Sequence, residues 1–388
     1  MKHIKFYLTF SIVFALGCLW GNRAEAQDNA GDDLLKELEA RLAKLDKEVG
    51  ELYVIRNEEM KWGFIDRSGK VVIPCNWKGT WDFSDGLALV ENDDGKRGYI
   101  DKSGKEIIPC QWNRISGFFD GLAAVKNADG KYGFVDKSGN VVIPCQWNDS
   151  WLFSEGLVKV KNADGDWGYV DKNGKEVIPC QWKDAGDFHE GLANVKNSDG
   201  KYGYIDKSGE VVIPYQWNLA YDFHEGLAAV KNADGKHGFI DKSGKIVIPC
   251  QWGPVEGFKE GLALVMNADI KYGYIDKSGK VVIPCQWDYA SGFSNGLAKV
   301  ANADMKFGYI DKSGKVVIPC QWDYIGGFSE GLAVVNNAVG KRGYIDKSGK
   351  VVIPCQWEVA YDFHEGLAAV VNANMEIHYI DKSGKVIR

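Results

Sequence analysis

Cysteine is the reactive residue type that recurs at a fixed spacing in this chain. A Cys-Gln-Trp or Cys-Asn-Trp motif returns every 35 residues, and Tyr215 replaces the cysteine in one copy. The cysteines are Cys75, Cys110, Cys145, Cys180, Cys250, Cys285, Cys320 and Cys355. A disulfide requires Cα atoms within about 7 Å. If the repeats form the blades of a propeller, the layout favoured below, equivalent points on neighbouring blades should lie farther apart than that. The spacing therefore predicts free, buried thiols, whereas a tightly stacked solenoid would bring them together.

No residue pattern in the sequence indicates a metal site or a catalytic centre. There is no Cys-x-x-Cys and no histidine in phase with the cysteines, which argues against zinc. Asn127, Asp129 and Asp136 resemble part of a calcium loop, but the full Asp-x-Asp-x-Asp-Gly pattern is missing, and turn formation explains them. The histidines of Phe-His-Glu-Gly vary to Ser or Lys in other copies, which predicts a surface position. We predict no catalytic, cofactor-binding or metal-binding residue and no cofactor.

Tryptophan is the next candidate, because exposed aromatic rings stack on sugars. Nine tryptophans follow Gln or Asn: Trp77, Trp112, Trp147, Trp182, Trp217, Trp252, Trp287, Trp322 and Trp357. Their place on the apolar side of a strand predicts packing between repeats instead.

The segment between this Trp and the following Phe, here called the tail (residues 148–152 in one copy), is the part that varies most between copies. A rigid repeated frame with one varied segment per copy is typical of binding repeats, although loss of packing constraint would give the same pattern. Trp81 and Trp151 lie in tails and are candidate ligand contacts. The other candidate contacts are Arg114, Tyr221, Tyr289, Tyr324 and Tyr361.

Ten 35-residue repeats must position these tails, from residue 51 to residue 388. In one copy the first strand is predicted at 122–126, the second at 131–135 and the third at 141–143. The turns 127–130 and 136–139 place Gly where a positive φ angle is required. Alternation in the strands makes both faces largely apolar, so the sheets should stack face to face. A fourth short strand could lie in the tail, near residues 147–153.

The predicted fold is all-β, a propeller-like tandem array of ten three-stranded antiparallel repeats. Units this small cannot bury an apolar face alone and are stable only when stacked. One large ring, two smaller rings and an open β-superhelix or solenoid remain as layouts, with the superhelix as the alternative to a propeller-like array.

The first 26 residues read as a signal peptide. Lys2 and Lys5 precede an apolar run at 6–20, and Ala24-Glu25-Ala26 predicts cleavage before Gln27. The chain is therefore expected to be exported to the periplasm, the cell surface or the medium, with no membrane span after cleavage. A lipoprotein anchored at Cys18 is the alternative.

Residues 27–50 are predicted to be a linker and a short amphipathic helix. Leu35, Leu38, Leu42, Leu45 and Val49 follow a spacing of three and four residues. This helix either caps the array or forms an oligomer through residues 32–49.

The net charge is −6, and removal of the signal peptide leaves −8. No basic cluster stands out, which argues against nucleic acid or an anionic membrane surface as a partner.

The repeat resembles the bacterial WG repeats, also called KWG repeats. The match rests on Lys61-Trp62-Gly63-Phe64-Ile65-Asp66, on 166–171 and on the Phe-Ser-Glu-Gly-Leu-Ala element at 328–333. The chain departs from the pattern where Tyr132, His237 or Arg342 replaces the Trp before Gly, and in its added Cys-Gln-Trp. The resemblance implies a β-rich repeat domain, often exported, and it carries over no catalytic residue.

These observations favour an exported, non-catalytic binding or scaffold protein whose partner is a protein or a glycan. The alternatives are an enzyme acting on polysaccharide or peptidoglycan and a structural surface spacer. A non-repeating pocket that contains acids of raised pKa would favour the enzyme.

Overall fold

A computed structural model describes residues 52–66, 69–364, 366–374 and 376–387. The predicted signal peptide, the alternative lipid site at Cys18 and the helix within 27–50 lie outside these residues. The described chain contains strands and turns, and none of it forms a helix suited to crossing a bilayer. It comprises two compact units, one of residues 52–88 with 102–104 and the other of residues 89–101 with 105–387.

The strands recur in four kinds. The first strands are Tyr53–Arg56, Leu87–Glu91, Leu122–Lys126, Leu157–Lys161, Leu192–Lys196, Leu227–Lys231, Leu262–Met266, Leu297–Ala301, Leu332–Asn336 and Leu367–Val371. The second strands are Trp62–Ile65, Arg97–Asp101, Tyr132–Asp136, Trp167–Asp171, Tyr202–Asp206, His237–Asp241, Tyr272–Asp276, Phe307–Asp311, Arg342–Asp346 and Ile377–Asp381. The third strands are Val71–Trp77, Glu106–Trp112, Val141–Trp147, Glu176–Trp182, Val211–Trp217, Ile246–Trp252, Val281–Trp287, Val316–Trp322 and Val351–Trp357. The tail strands are Gly79–Thr80, Arg114–Phe119, Asp149–Ser150, Asp184–Ala185, Leu219–His224, Tyr289–Ala290, Tyr324–Ser329 and Val359–Ala360.

The strands form ten antiparallel sheets, which confirms the predicted all-β repeats and the fourth strand. Each tail strand pairs with the first strand of the next copy, as Asp149 does with Lys161, so seven sheets have four strands. One three-stranded sheet of the second unit has Gly253-Pro254 where a tail strand would form. The backbone still pairs there in part, because the Gly253 N–H group donates to the Met266 carbonyl oxygen at 2.8 Å and Val255 forms a single bridge to Val265.

Turn chemistry explains the connections between strands. In the turn after the second strand, the Asp136 carboxylate accepts hydrogen bonds from the Ser138 and Asn140 N–H groups, both at 2.9 Å. Gly139 then takes a positive φ of 85°. In the turn before the next first strand, Glu155 and Gly156 have φ angles of 51° and 87°, as a two-residue hairpin turn requires.

The glycine of the second strand is required by a bulge in the third strand. Tyr132 pairs with Trp147 while Phe134 pairs with Ile143, so the third strand contains extra residues opposite Gly133. A Cβ atom at Gly133 would lie 2.5 Å from the Ile143 carbonyl oxygen. This close approach is the physical reason for Gly in the Trp-Gly element of the repeat.

Within the second unit, successive sheets pack face to face and enclose the core. One cluster joins Tyr204 and Ile213 of one sheet to Phe223 and Ile240 of the next. This confirms the propeller-like stacking predicted from the apolar faces. Burial varies along the third strand: Ile143 is fully buried, whereas Val141, at the start of this edge strand, is 51% exposed.

The repeated tryptophans and cysteines meet at these seams between sheets. All nine tryptophans are buried or half-buried, which confirms their packing role. Cys250 packs against the cluster that contains Trp217 of the preceding sheet. Where Tyr215 replaces cysteine, its hydroxyl accepts a hydrogen bond of 2.9 Å from the Trp182 indole N–H.

The eight cysteines of the described repeats are bonded to no other cysteine. They are half-buried, a less complete burial than the sequence predicted. Burial raises the pKa of Cys110 to about 12, with a further contribution from Glu106. A thiol with so high a pKa is a weak nucleophile at neutral pH, so a packing role suits it better than chemistry.

Candidate ligand-binding surface

The structure exposes every candidate contact that the sequence indicated. Trp151 is 55% exposed and Trp81 is 45% exposed. The tyrosines of the set are between 36% and 59% exposed, and Arg114 is also exposed. In the part of the chain that the structure describes, no other Trp or Tyr side chain is as exposed as these six.

The candidates occupy two equivalent positions of the repeat. Trp81, Trp151, Tyr221 and Tyr361 are separated by multiples of 35 residues, so they share one position. Arg114, Tyr289 and Tyr324 share another, two residues earlier in the tail. The tail strand that carries them is short in most copies but extends over six residues at Arg114–Phe119, Leu219–His224 and Tyr324–Ser329.

A buried tyrosine of the second strand fixes the first of these positions in many copies. The Tyr204 hydroxyl donates a 2.7 Å hydrogen bond to the Tyr221 carbonyl oxygen, and Tyr344 does the same to Tyr361 at 2.8 Å. Burial raises the pKa of both hydroxyls, which keeps them protonated as donors at neutral pH. Sequence reasoning missed this anchor, although the alternation of Tyr and Phe in the second strand was the available signal.

Trp151 is held differently, because its copy has Phe134 in place of the anchoring tyrosine. The Lys159 ammonium group lies 4.7 Å from the centre of the Trp151 ring. Lys159 also donates a 3.0 Å hydrogen bond to the Ala185 carbonyl oxygen and pairs with Asp187 at 3.5 Å. The Trp151 ring thus contacts the Lys159 ammonium group, whose charge is paired with Asp187 of the next sheet.

Tyr289 and Tyr324 both lie close to another lysine of a first strand, Lys299. The Lys299 ammonium group is 5.6 Å from the centre of the Tyr289 ring and 6.0 Å from that of Tyr324. Phe307 meets Tyr289 edge to face at 5.7 Å. The structure thus brings two candidates from neighbouring tails together around one cation.

Acidic residues of the Phe-x-Glu-Gly element tie successive sheets together, a role that sequence reasoning missed. Glu260 accepts a 3.0 Å hydrogen bond from the Gly296 N–H group of the next copy. It also pairs at 3.0 Å with Lys312, 52 residues later, whose hydrogen bond lowers the pKa of the carboxyl. The same pairs, between 2.9 and 3.3 Å, are Asp120–Lys172, Glu155–Lys207, Glu190–Lys242, Glu225–Lys277 and Glu330–Lys382.

One carboxyl group has the raised pKa expected of a catalytic acid. Burial raises the pKa of Asp222, which accepts a 2.8 Å hydrogen bond from Asn194 and lies 3.5 Å from His189. These partners belong to the seam between two sheets, where Asp187 is already paired with Lys159. We interpret the cluster as polar packing, because both carboxylates are occupied by contacts between sheets. The described residues contain no group of three metal-ligating side chains.

Together these features define a repeat protein of stacked antiparallel sheets that displays aromatic side chains from variable tails. The WG containing repeat matches nine segments: residues 62–96, 98–132, 132–165, 167–202, 202–236, 238–269, 272–303, 307–337 and 343–374. The chain belongs to this family of WG-repeat proteins.

Other comparisons are more distant. The search of curated proteins returns no match. A computationally designed protein, Ika8, matches with a TM-score of 0.40 and 12% identity over 69% of this chain and 96% of its own. BamB from Moraxella catarrhalis matches with a TM-score of 0.36 and 12% identity over 78% of this chain and 95% of its own. Likenesses at this level carry no argument about function.

Proposed function

We propose that this chain is an exported, non-catalytic binding protein that contacts a protein or glycan partner through its tails. The observation that supports this most is the restriction of strongly exposed Trp and Tyr side chains, within the described residues, to the two tail positions. Elsewhere in the described repeats, the Phe, Tyr and Trp side chains are buried or half-buried, except Phe119, which is 45% exposed.

The energetics of aromatic side chains favour binding over a purely structural role for the tails. A large aromatic side chain left in water gains free energy when a partner covers it, and such residues often dominate interface energetics. Tyr and Trp also combine an apolar ring with a polar group, which suits both protein surfaces and sugar rings. The anchoring tyrosines keep the tail backbone in place, so little ordering of the tail is needed on binding.

The first test of this proposal replaces exposed tail aromatics once a partner has been found on glycan and protein arrays. Trp81→Ala, Trp151→Ala and Tyr221→Ala should each weaken binding by roughly 1–3 kcal/mol, because each removes an aromatic anchor. Isothermal titration calorimetry measures the change. Val339→Ala is the control, because Val339 is 77% exposed but lies in a turn outside the tails. Normal binding by all three tail variants would exclude the tails as the recognition surface.

Export is a separate part of the proposal and rests on the basic start, the apolar run and Ala24-Glu25-Ala26. N-terminal sequencing of the chain recovered from outside the cytoplasm should begin at Gln27. A mature terminus at a lipid-modified Cys18 would show instead that the chain is a lipoprotein.

A further inference from the structure

A cavity of about 290 Å³ lies within the second unit, and its lining differs from the equivalent region of other copies. Tyr289, Asn295, Lys299, Gly327 and Lys347 are among the residues that line it. Two of the pairings that join neighbouring sheets elsewhere in the chain are interrupted here.

The first interruption is at Asn295. This residue occupies the position of Glu260 and Glu330 in the neighbouring copies, and Lys347 occupies the position of Lys312 and Lys382. Those glutamates pair with those lysines at 3.0 and 2.9 Å. Because an amide replaces the carboxylate at Asn295, Lys347 has no ion pair among the described residues.

The second interruption is at Gly327. A polar side chain in the middle of the first strand elsewhere meets an aspartate 28 residues later: Lys159 pairs with Asp187 at 3.5 Å, and Asn194 donates to Asp222 at 2.8 Å. The equivalent partner of Lys299 is Gly327, which has no side chain. Lys299 is half-buried and likewise has no ion pair within the described part of the chain.

Two ammonium groups without a carboxylate partner therefore line one cavity. Lys299 is half-buried and Lys347 is exposed. An anion in this space would therefore meet Lys299 where its charge is screened less than at an open surface.

Two acids lie near the lining. Asp362 is close enough to add to the raised pKa of Tyr309, which is due mainly to burial. Glu256 accepts a 3.1 Å hydrogen bond from the Gly292 N–H group at the cavity wall. It forms no ion pair with either lysine.

The remaining walls favour a ring-shaped ligand. Tyr289 is partly exposed and presents an aromatic ring, and Phe328 and Tyr309 also line the space. Ser291 and Ser294 belong to the same lining. The Ser291 hydroxyl accepts a 3.2 Å hydrogen bond from the Lys299 N–H group and donates one of 3.3 Å to the Gly292 carbonyl oxygen. Aromatic faces beside hydroxyl groups and cations suit a sugar ring that carries a carboxylate, and a volume of about 290 Å³ accommodates one such ring.

We propose that this cavity binds the carboxylate-bearing ring of an acidic glycan, with Lys299 and Lys347 holding the carboxylate and Tyr289 stacking on the ring. The inference rests on the proposed function, since Tyr289 belongs to the same binding surface. Among the described copies, both interruptions occur together only at this cavity, so the acidic glycan would bind at a single place in the array.

The test titrates sodium D-glucuronate into the full chain and follows binding by calorimetry and by NMR. Asn295→Glu and Gly327→Asp each restore the carboxylate found in other copies, and each should weaken glucuronate binding at least tenfold. A side chain fits at Gly327, because a Cβ atom there would meet nothing within 4 Å. Glu190→Gln, which alters an intact pair elsewhere, is the matched control and should bind as the parent chain does. D-glucose should bind at least tenfold more weakly than glucuronate.

A gain-of-binding variant makes the test independent of any loss of folding. Glu155→Asn, Asp187→Gly and Asp149→Tyr together recreate both interruptions around Lys159 and Lys207 and place a tyrosine at the position of Tyr289. This triple variant should add a second glucuronate equivalent. Parent-like binding by Asn295→Glu and Gly327→Asp, or equal binding of glucose, would overturn the proposal. Tighter binding of N-acetyl-L-glutamate than of glucuronate would also overturn it and would point to an acidic peptide. Trp151→Ala and Tyr221→Ala leave the cavity intact. If these variants bind a partner as the parent chain does, the general binding proposal fails, whatever the result with glucuronate.

Discussion

Gly273→Ala should destabilise the second unit by about 3 kcal/mol, near the upper end of overpacking costs. A Cβ atom at Gly273 would lie 2.6 Å from the Ile283 carbonyl oxygen and 2.7 Å from the Cys285 nitrogen. Both are backbone atoms of the bulged third strand, so no side chain can rotate away to make room. Urea unfolding should show a lower midpoint, and hydrogen exchange should show faster opening that is greatest in this sheet and its neighbours, since repeats are coupled mainly to adjacent repeats.

Gly327→Ala is the control for this prediction. Its added Cβ atom would meet nothing within 4 Å, and Gly327 does not have the positive φ angle that disfavours alanine. The unfolding free energy should therefore change by no more than about 0.5 kcal/mol. Equal urea midpoints for Gly273→Ala and Gly327→Ala would refute the requirement for glycine at the bulge.

Phe223→Ala should cost about 3–5 kcal/mol, the range for removal of a buried phenylalanine side chain. Phe223 is fully buried, and its ring meets that of Tyr204 edge to face with centroids 4.9 Å apart. The two rings come from neighbouring sheets and occupy the cluster that joins them. Truncation leaves a cavity in that seam, and hydrogen exchange should show both sheets opening more readily.

Tyr204→Phe separates the contribution of the ring from that of the hydroxyl. This variant keeps the edge-to-face contact but removes the hydrogen bond to the Tyr221 carbonyl oxygen, so it should cost only about 1 kcal/mol. Thermal and urea unfolding measure both variants. A Tyr204→Phe cost as large as that of Phe223→Ala would mean that the hydrogen bond, rather than ring packing, holds the seam.

Much of the repeat was predictable because it depends on local chemistry. Gly139 follows Asp136 in a turn that requires a positive φ angle, and the structure has that angle at 85°. The variable tails were predicted to be exposed, and Trp151 and Tyr361 are so. Alternation within strands predicted two apolar faces and hence stacking, which the second unit shows.

Other features were not predictable because they join different copies. Glu260 contacts Lys312 across 52 residues, and the tail strand at Asp149 joins the sheet of the following repeat. In a chain of nearly identical copies, every glutamate has several equivalent lysines. The sequence alone does not indicate which lysine lies near a given glutamate. The missing carboxylates at Asn295 and Gly327 could therefore be recognised only from the pairs in the structure.

The sequence by itself determined the repeat period, the strands and turns within each copy, and the variable positions that reach solvent. These follow from alternation of side chains and from backbone angles, which act over a few residues. Only the tertiary structure decided three features. These are the sheet that each tail strand joins, the carboxylate that pairs with each lysine, and the cavity where two lysines have no carboxylate partner. Those outcomes depend on distances between sheets, because charge pairing and packing act through space and not along the chain.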